Sequence, residues 1–452
     1  MFLFPLIYIG FFIAAIKQFA ADKVGSIMLF LVFGLPIYTA ALSVTYLYGF
    51  TQFIPYLQIC KEIIIVLFLG YSILNIQTKF EWLWMDKFML GFILYTVLYI
   101  FLPIGNYSII QKSLAFKSIC FFPFIYFTGR LFNFRKINLN KLFSYIGLLT
   151  IVSAVVLIYE LITYTHLQTN TGYALLNEQY FGQSPSGNYG LSWTFEIENG
   201  LKRFASFFSN PLEFSAATLV ATAALAALIT NNKNQFIFTP FTQLIFASTC
   251  FSILFALSRA SLASYGIMIY VYALVTNKKQ IIQLIHALII AAIALITLFV
   301  VQNDLVDFIV NTITFSNASS MGHVLEWING IEAIGKHPLG MGLGESGRLS
   351  AFEGLNTGGE NQFIIIGVQL GLIGLVLYLA AYMVTLKNAF QIIKSKTGKI
   401  RRLALFILLV KIGLFIPMFT AEIESYIYIS YITWFLIGLL FNMLAQKNQT
   451  SN

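Results

Sequence analysis

The chain has 452 residues and a formal net charge of +9, with 58% hydrophobic, 16% aromatic and only 10% charged residues. A mean hydropathy of +0.81 and a charged share far below the roughly 25% of soluble domains exclude a soluble enzyme and indicate a polytopic membrane protein. The basic residues are scattered between apolar runs and never interleave with an exposed aromatic platform, which excludes a nucleic-acid partner.

The first apolar stretch runs from Phe2 to Ile16 and ends at Lys17. No small-residue cleavage site follows it, so it is expected to remain as a span. Runs able to cross a hydrocarbon core of about 30 Å, some only with tilt, begin near Phe2, Val24, Tyr56, Phe88, Leu114, Leu142, Leu212, Phe236, Leu262, Ile281, Phe363, Leu403 and Ile427. They predict an all-α fold of about 12 to 13 transmembrane helices. The run near Leu114 is short and opens with Lys112 and Lys117, which suits an interfacial helix as well as a span.

Hydrophilic segments divide the chain into N-terminal spans (1–164), a first loop (165–211), central spans (212–301), a second loop (302–360) and C-terminal spans (361–452). Arg130, Arg135, Lys136 and Lys141 cluster before one span, and Lys387, Lys394, Lys396, Lys399, Arg401 and Arg402 cluster between two others. The positive-inside rule assigns both clusters to the cytoplasm. Both long loops then face outward, and the second carries Asp304, Asp307, Glu326, Glu332, Glu345, Glu353 and Glu360 against Lys336 and Arg348. No fixed-period repeat is visible, which weighs against transporters built from two similar halves.

Cys60, Cys120 and Cys250 fall in or beside apolar runs without metal-site spacing and read as small buried hydrophobes. At the end of the first loop, Lys202-Arg203-Phe-Ala-Ser-Phe-Phe-Ser-Asn210-Pro211 enters a helix. Asn210 and Pro211 suit its N-cap and first turn, such an end attracts anions, and Arg203 is either a phosphate-gripping fork or an interfacial anchor. Arg259 stands between two apolar runs, so it is a candidate for an anionic partner or a snorkelling side chain.

Gly342-Leu-Gly344-Glu-Ser-Gly347 matches a dinucleotide fingerprint by spacing, but no strand precedes it and that reading is rejected. His337-Pro338-Leu339-Gly340-Met341-Gly342 instead reads as a tight turn bringing backbone N–H groups close to a ligand. His323, Glu326 and Trp327 share one helix face, as a site or as the wet side of an interfacial helix, and no HxxxH or HExxH pair suggests a metal. Glu360-Asn361 directly precedes a span, where Glu360 suits proton transfer and both residues equally suit an N-cap. Lys411 interrupts an apolar run before Glu422 and Glu424 and is expected to pair with a buried acid or carbonyl, Glu160 being one choice.

In this order the motifs resemble the superfamily of O-antigen ligases and Wzy-type polysaccharide polymerases, over about Arg203 to Leu375. The resemblance rests on RFASFFSNP, then SRAS around Arg259, a segment leading through Trp327 to HPLGMG, and an Asn361 pair before a helix ending in GLIGL. His323 stands where the family has the Arg of Arg-x-x-x-Trp, and Glu360 where ligases have the His of His-Asn. The resemblance implies a membrane-embedded glycosyltransferase of the C type in the bacterial inner membrane, with its active site on the extracytoplasmic face and no cofactor or metal. It implies a polymerase of polyprenyl-pyrophosphate-linked oligosaccharide repeat units for O-antigen, capsule or exopolysaccharide. Glu360 and His323 would be catalytic, and Arg203, Arg259, Asn361, Trp327, His337 and Glu326 would bind substrate. Membrane lipids, a flippase and a chain-length regulator would be partners. The alternatives are a ligase joining polymer to lipid A core and, from another class, a lipid-linked oligosaccharide flippase.

Overall fold

The computed structural model describes residues 2–21, 24–75, 80–133, 137–197, 200–230, 235–299, 318–347 and 357–449. Its long helices are α1 Leu3–Ala20, α2 Ile27–Leu47, α3 Ile54–Leu74, α4 Trp84–Phe101, α5 Ile109–Ile119, α6 Phe121–Leu131, α7 Leu139–Thr163 and α8 Pro211–Ile229. They continue as α9 Pro240–Phe255, α10 Arg259–Val275, α11 Lys279–Phe299, α12 Ala318–Lys336, α13 Gln362–Ser395, α14 Gly398–Phe415 and α15 Ile427–Gln449. Among the described residues, nine helices are long and apolar enough to cross a membrane, or ten if α5 and α6, bent by 47° at their junction, form one span. Three more, α9, α10 and Lys279–Ala291 of α11, are apolar but shorter. The 16 residues of α9 rise only about 24 Å, so this helix needs a neighbour or a thinned bilayer.

Each expected starting point falls in or just before one of these helices. Two parts of the second loop, 302–317 and 348–356, including Asp304, Asp307, Arg348 and Glu353, lie outside the described residues, as do Arg135 and Lys136. The two basic segments meet at one end of the bundle, where Arg402 donates from Nε to the Ala227 carbonyl (2.8 Å) and from its terminal nitrogen to Asn140 Oδ1. The opposite end gathers the first loop and the residues around Glu360, through ring contact of Phe208 with Tyr428 (6.0 Å) and donation from the Glu424 N–H to Gln362 Oε1 (2.9 Å). Phe2 packs on Tyr48 (5.7 Å), and Tyr46 donates to Gln179 in the first loop (2.9 Å), so α1 begins at this loop end too.

Helix α8 is the axis of the bundle, 89% of its membrane window being buried inside the protein. Its run of Ala217, Ala221, Ala223, Ala224, Ala226 and Ala227 lets α7, α9, α10 and α14 approach closely, the usual route to tight packing where lipid supplies no hydrophobic drive. Helices α6 and α15 cross nearer still. A Cβ at Gly129 would collide with the Phe435 carbonyl and one at Gly438 with the Tyr126 carbonyl.

Arg130, read from the sequence as a cytoplasmic surface charge, is buried. Its guanidinium makes bonds of 3.0, 3.2 and 3.1 Å with the Asp86 carboxylate and one of 2.6 Å to the Glu81 carbonyl, and it stacks on Phe80. Tyr126 donates to the same carboxylate at 2.5 Å. Removing one member of such a pair strands the other charge, at about 3–5 kcal/mol. Asp86→Ala should therefore lower the thermal unfolding midpoint of the detergent-purified protein markedly; an unchanged midpoint would show that the pair is dispensable.

Candidate functional site

The loop end is built around an interruption in α13. At Gly371 the backbone leaves the helix with φ 67° and ψ −168°, a conformation essentially restricted to glycine. The helical hydrogen-bond ladder breaks there, and exposed backbone groups at membrane depth are tolerated only against protein or water. His337 to Gly342 supplies the protein. Met341 N–H donates to the Val368 carbonyl (2.7 Å), Gly342 N–H to the Gln369 carbonyl (3.2 Å), and Leu372 N–H to the Pro338 carbonyl (2.8 Å). Gln369 closes the crossing with its side chain, accepting from Gly344 N–H (2.9 Å) and donating to the Ser346 carbonyl (2.7 Å). The two backbones pass so near that a Cβ on Gly340 would lie 2.6 Å from the Gln369 oxygen.

This arrangement corrects one expectation from the sequence. The N–H groups of the glycine-rich turn serve the chain's own carbonyls rather than a ligand, because the break in α13 needs them. Its far side is held as well: Tyr99 donates to the Leu339 carbonyl, and Asn106 N–H donates to Glu345 Oε1 (2.8 Å). His337 is exposed at the C-terminus of α12, its N–H bonded to the Ala333 carbonyl. Fourteen residues after His323, it stands about 20 Å away along the helix.

The interlock leaves Gln362 to Leu370 as a short half-helix whose N-terminus reaches the loop end. Asn361 is 3% exposed and caps it, Oδ1 accepting from the N–H groups of Phe363 (3.0 Å) and Ile364 (3.2 Å). Glu360, one residue earlier, is exposed. Helix α12 lies alongside: His323 Nδ1 is 3.6 Å from Glu326 Oε2, and the Glu326 carboxylate rests against Gly359, directly before Glu360. Trp327 packs its ring 6.0 Å from Phe419, and its buried indole N–H meets no acceptor among the described residues. One face of α12 thus brings His323, Glu326 and Trp327 to Glu360 and Asn361.

Behind them stands a half-buried carboxylate that the sequence marked only as an edge charge. Glu424 accepts from Tyr378 (2.8 Å), Ser430 (2.8 Å) and the Trp434 indole (2.7 Å). Lys411, 2% exposed, stacks 3.8 Å over the Trp434 ring and 5.0 Å over Tyr382. Glu160 is not its partner. Glu160 ends α7, fully buried, and accepts from the N–H groups of Leu167 (2.8 Å) and Ser206 (2.8 Å).

That bond to Ser206 folds the Arg203 segment back onto the bundle, helped by Gln168 Nε2 donating to the carbonyls of Ser206 (2.8 Å) and Phe208 (2.7 Å). Phe204 N–H reaches the Phe255 carbonyl at 3.5 Å, four residues before Arg259, which opens α10 behind the Ser258 cap. Ser261 and Ser215 share a 2.8 Å hydrogen bond that ties α10 to α8. Arg203 and Arg259, both half-buried, are therefore on segments held together by direct bonds. Asn210 caps α8 through Glu213 N–H (2.8 Å). Because Glu213 reaches back to the Ser209 N–H (3.1 Å), the positive end of α8 already holds its own carboxylate. Beside Arg203, Lys202 lies over the rings of Tyr164 (4.2 Å) and Tyr189 (4.6 Å). Burial, and then the Lys202 charge, push the neighbouring imidazole of His166 down to about 4.

Among the described residues no group of three metal-ligating side chains occurs. Cys60 and Cys250 are half-buried and Cys120 is buried, all as free thiols. A side chain at Gly371 would collide with the Pro338 carbonyl and add backbone strain of about 1–3 kcal/mol. Gly371→Ala is expected to lower both the thermal midpoint and the activity of the purified protein, whereas wild-type values for both would make the interlock irrelevant.

Residues 244–379 match the family described as O-antigen ligase. This range runs from α9 through the interlock and includes Arg259, His323, His337 and Glu360, but not Arg203. An "O-antigen polymerase" from Salmonella muenchen is 22% identical over 293 residues, covering 62% of this chain and 70% of the relative. Together with the order of the motifs along an all-helical membrane bundle, these matches support the likeness of the chain to the O-antigen ligase and Wzy-type polymerase superfamily.

Proposed function

We propose that the protein polymerises polyprenyl-pyrophosphate-linked oligosaccharide repeat units at the outer face of the plasma membrane. The observation that carries this reading is the position of Glu360, exposed at the tip of a capped half-helix, beside His323, Glu326 and Trp327 and at the same end as two arginines. An enzyme acting on substrates presented at a membrane surface needs its polar groups at one face. A flippase needs them along a path through the bundle.

The donor is a sugar chain on a polyprenyl pyrophosphate, and the acceptor is a hydroxyl of the next lipid-linked unit. Glu360 takes the hydroxyl proton as the oxygen attacks the anomeric carbon. The new C–O bond forms while the bond to the pyrophosphate oxygen breaks, with inversion, and the polyprenyl pyrophosphate leaves with the electron pair. Arg203 and Arg259 neutralise the charge on the departing group, and preorganised donors of this type are worth about 3–4 kcal/mol each. Glu326 and His323 are placed to orient acceptor sugars, with the Trp327 ring packed on the same helix face, and His337 contributes only through the far end of α12.

The ligase reading is supported by the description of the matched family, and the polymerase reading by the name of the Salmonella relative. Glu360, standing where ligases carry histidine, favours the polymerase. With purified protein and a lipid-linked repeat unit, laddered product is expected. Glu360→Gln keeps the shape and removes the base, so the rate should fall about 10²–10⁴-fold; a wild-type rate in that variant would remove Glu360 from the chemistry. Arg259→Ala should abolish the ladder and Arg259→Lys retain part of it, since lysine keeps charge without the bidentate fork.

Sidedness has its own test. Ser346 is buried and bonded to the Thr357 carbonyl, which makes it a poor reporter, but Ser186 and Ser395 are exposed at the loop end and the basic end. In a chain lacking Cys60, Cys120 and Cys250, Ser186→Cys should react with an impermeant maleimide on intact cells or spheroplasts and Ser395→Cys should not. The reverse pattern would put Glu360 in the cytoplasm and end the polymerase reading.

A further inference from the structure

A second charged site lies away from the residues above, on the lipid-facing side of α3 and α5. Lys61 and Lys117 both contact Glu62 Oε1 at 2.7 Å. The two lysines differ in what else they do. Lys61 has a side chain only 11% exposed and also donates to the Gln58 carbonyl (2.9 Å) and the Tyr38 hydroxyl (3.3 Å), so its ammonium is engaged inside the protein. Lys117 has a side chain 48% exposed, and the exposed residues of the same two helices include Tyr56 (69% exposed), Ile59, Ile63, Ile110 and Leu114.

Depth makes this arrangement informative. Lys61 precedes Leu74 by 13 positions, as Lys117 precedes Arg130, so each stands about 20 Å of helix from the basic end of its span. In a hydrocarbon core of about 30 Å that is the loop-side leaflet, within a lysine's snorkelling reach of the headgroups. Charges at such depth are expensive and are kept where they meet a partner. Two ammonium groups share one carboxylate, so a unit of positive charge is left over, and it resides on the half-exposed Lys117.

We propose that Lys117, which shares the single carboxylate of Glu62 with Lys61, binds the phosphate group of an anionic lipid in the loop-side leaflet. The bend of 47° between α5 and α6 begins three residues beyond Lys117 and tilts α5 away from the line of α6. This site is independent of the glycosyl-transfer reading and uses none of its residues.

Native mass spectrometry of the full chain in a neutral detergent tests the proposal, with undecaprenyl phosphate, phosphatidylglycerol and phosphatidylcholine as separate probes. The anionic probes should be retained over phosphatidylcholine, and Lys117→Gln should weaken that retention about fivefold, the contribution of one lysine near an anionic surface. Lys117→Arg should keep it. Glu62→Gln should strengthen it, because both ammonium groups are then uncompensated, whereas a purely structural triad predicts loss in both variants. Retention of both anionic lipids identifies a general headgroup site, and retention of undecaprenyl phosphate alone identifies a polyprenyl site. Equal retention of all three probes, or wild-type retention in folded Lys117→Gln, overturns the proposal.

Discussion

The break in α13 at Gly371 is the constraint from which the rest of the loop end follows. A helix interrupted at membrane depth exposes carbonyl and N–H groups that lipid cannot satisfy, and another part of the chain must be spent on them. Residues 337 to 342 meet that need, which explains why HPLGMG carries glycines where two backbones cross. The same crossing fixes the direction in which the half-helix points its N-terminus. Glu360 therefore owes its exposed position to hydrogen bonds formed about 10 residues farther along the chain, near Gln369 and Gly371.

Charge is managed by a common physical rule throughout the bundle. Asp86 is met by Arg130 and Tyr126, Glu160 by two backbone N–H groups, and Glu424 by a phenol, a hydroxyl and an indole. Each of these carboxylates ties together segments distant in sequence, because a buried charge stays tolerable only when several donors converge on it. Glu160 seats the Arg203 segment, and Glu424 anchors the turn that bonds Gln362. Their contribution to any chemistry at Glu360 is the rigidity of the parts that carry it. Glu360 and Lys117 are different: both are ionisable side chains reachable from outside the fold.

Much of this was legible in the residues. Apolar runs gave the helices and their starting points, since crossing a bilayer demands about 20 apolar residues in succession and little else produces such runs. Asn210-Pro211 and Asn361 were readable as helix caps because capping depends on two or three neighbouring residues. The spacing of His323, Glu326 and Trp327 placed them on one face. Lys411 was visible as a charge interrupting an apolar run and Glu424 as one at the membrane edge, but the Trp434 ring between them was not, and Gln369 carried no local signal at all.

Sequence alone determined that the chain is a helical membrane protein, where its spans begin, which residues cap them and which polar residues stand out against the apolar background. These are properties of short segments and of transfer between water and lipid. Tertiary structure alone decided that α13 breaks at Gly371, that the turn N–H groups face carbonyls of α13, that Arg130 is buried against Asp86 and that Glu160 serves the first loop. Each of those outcomes depends on hydrogen bonds between segments tens of residues apart. No local pattern encodes such a partner, because a carbonyl or carboxylate left unsatisfied by its own helix takes whichever donor the packed fold brings to it.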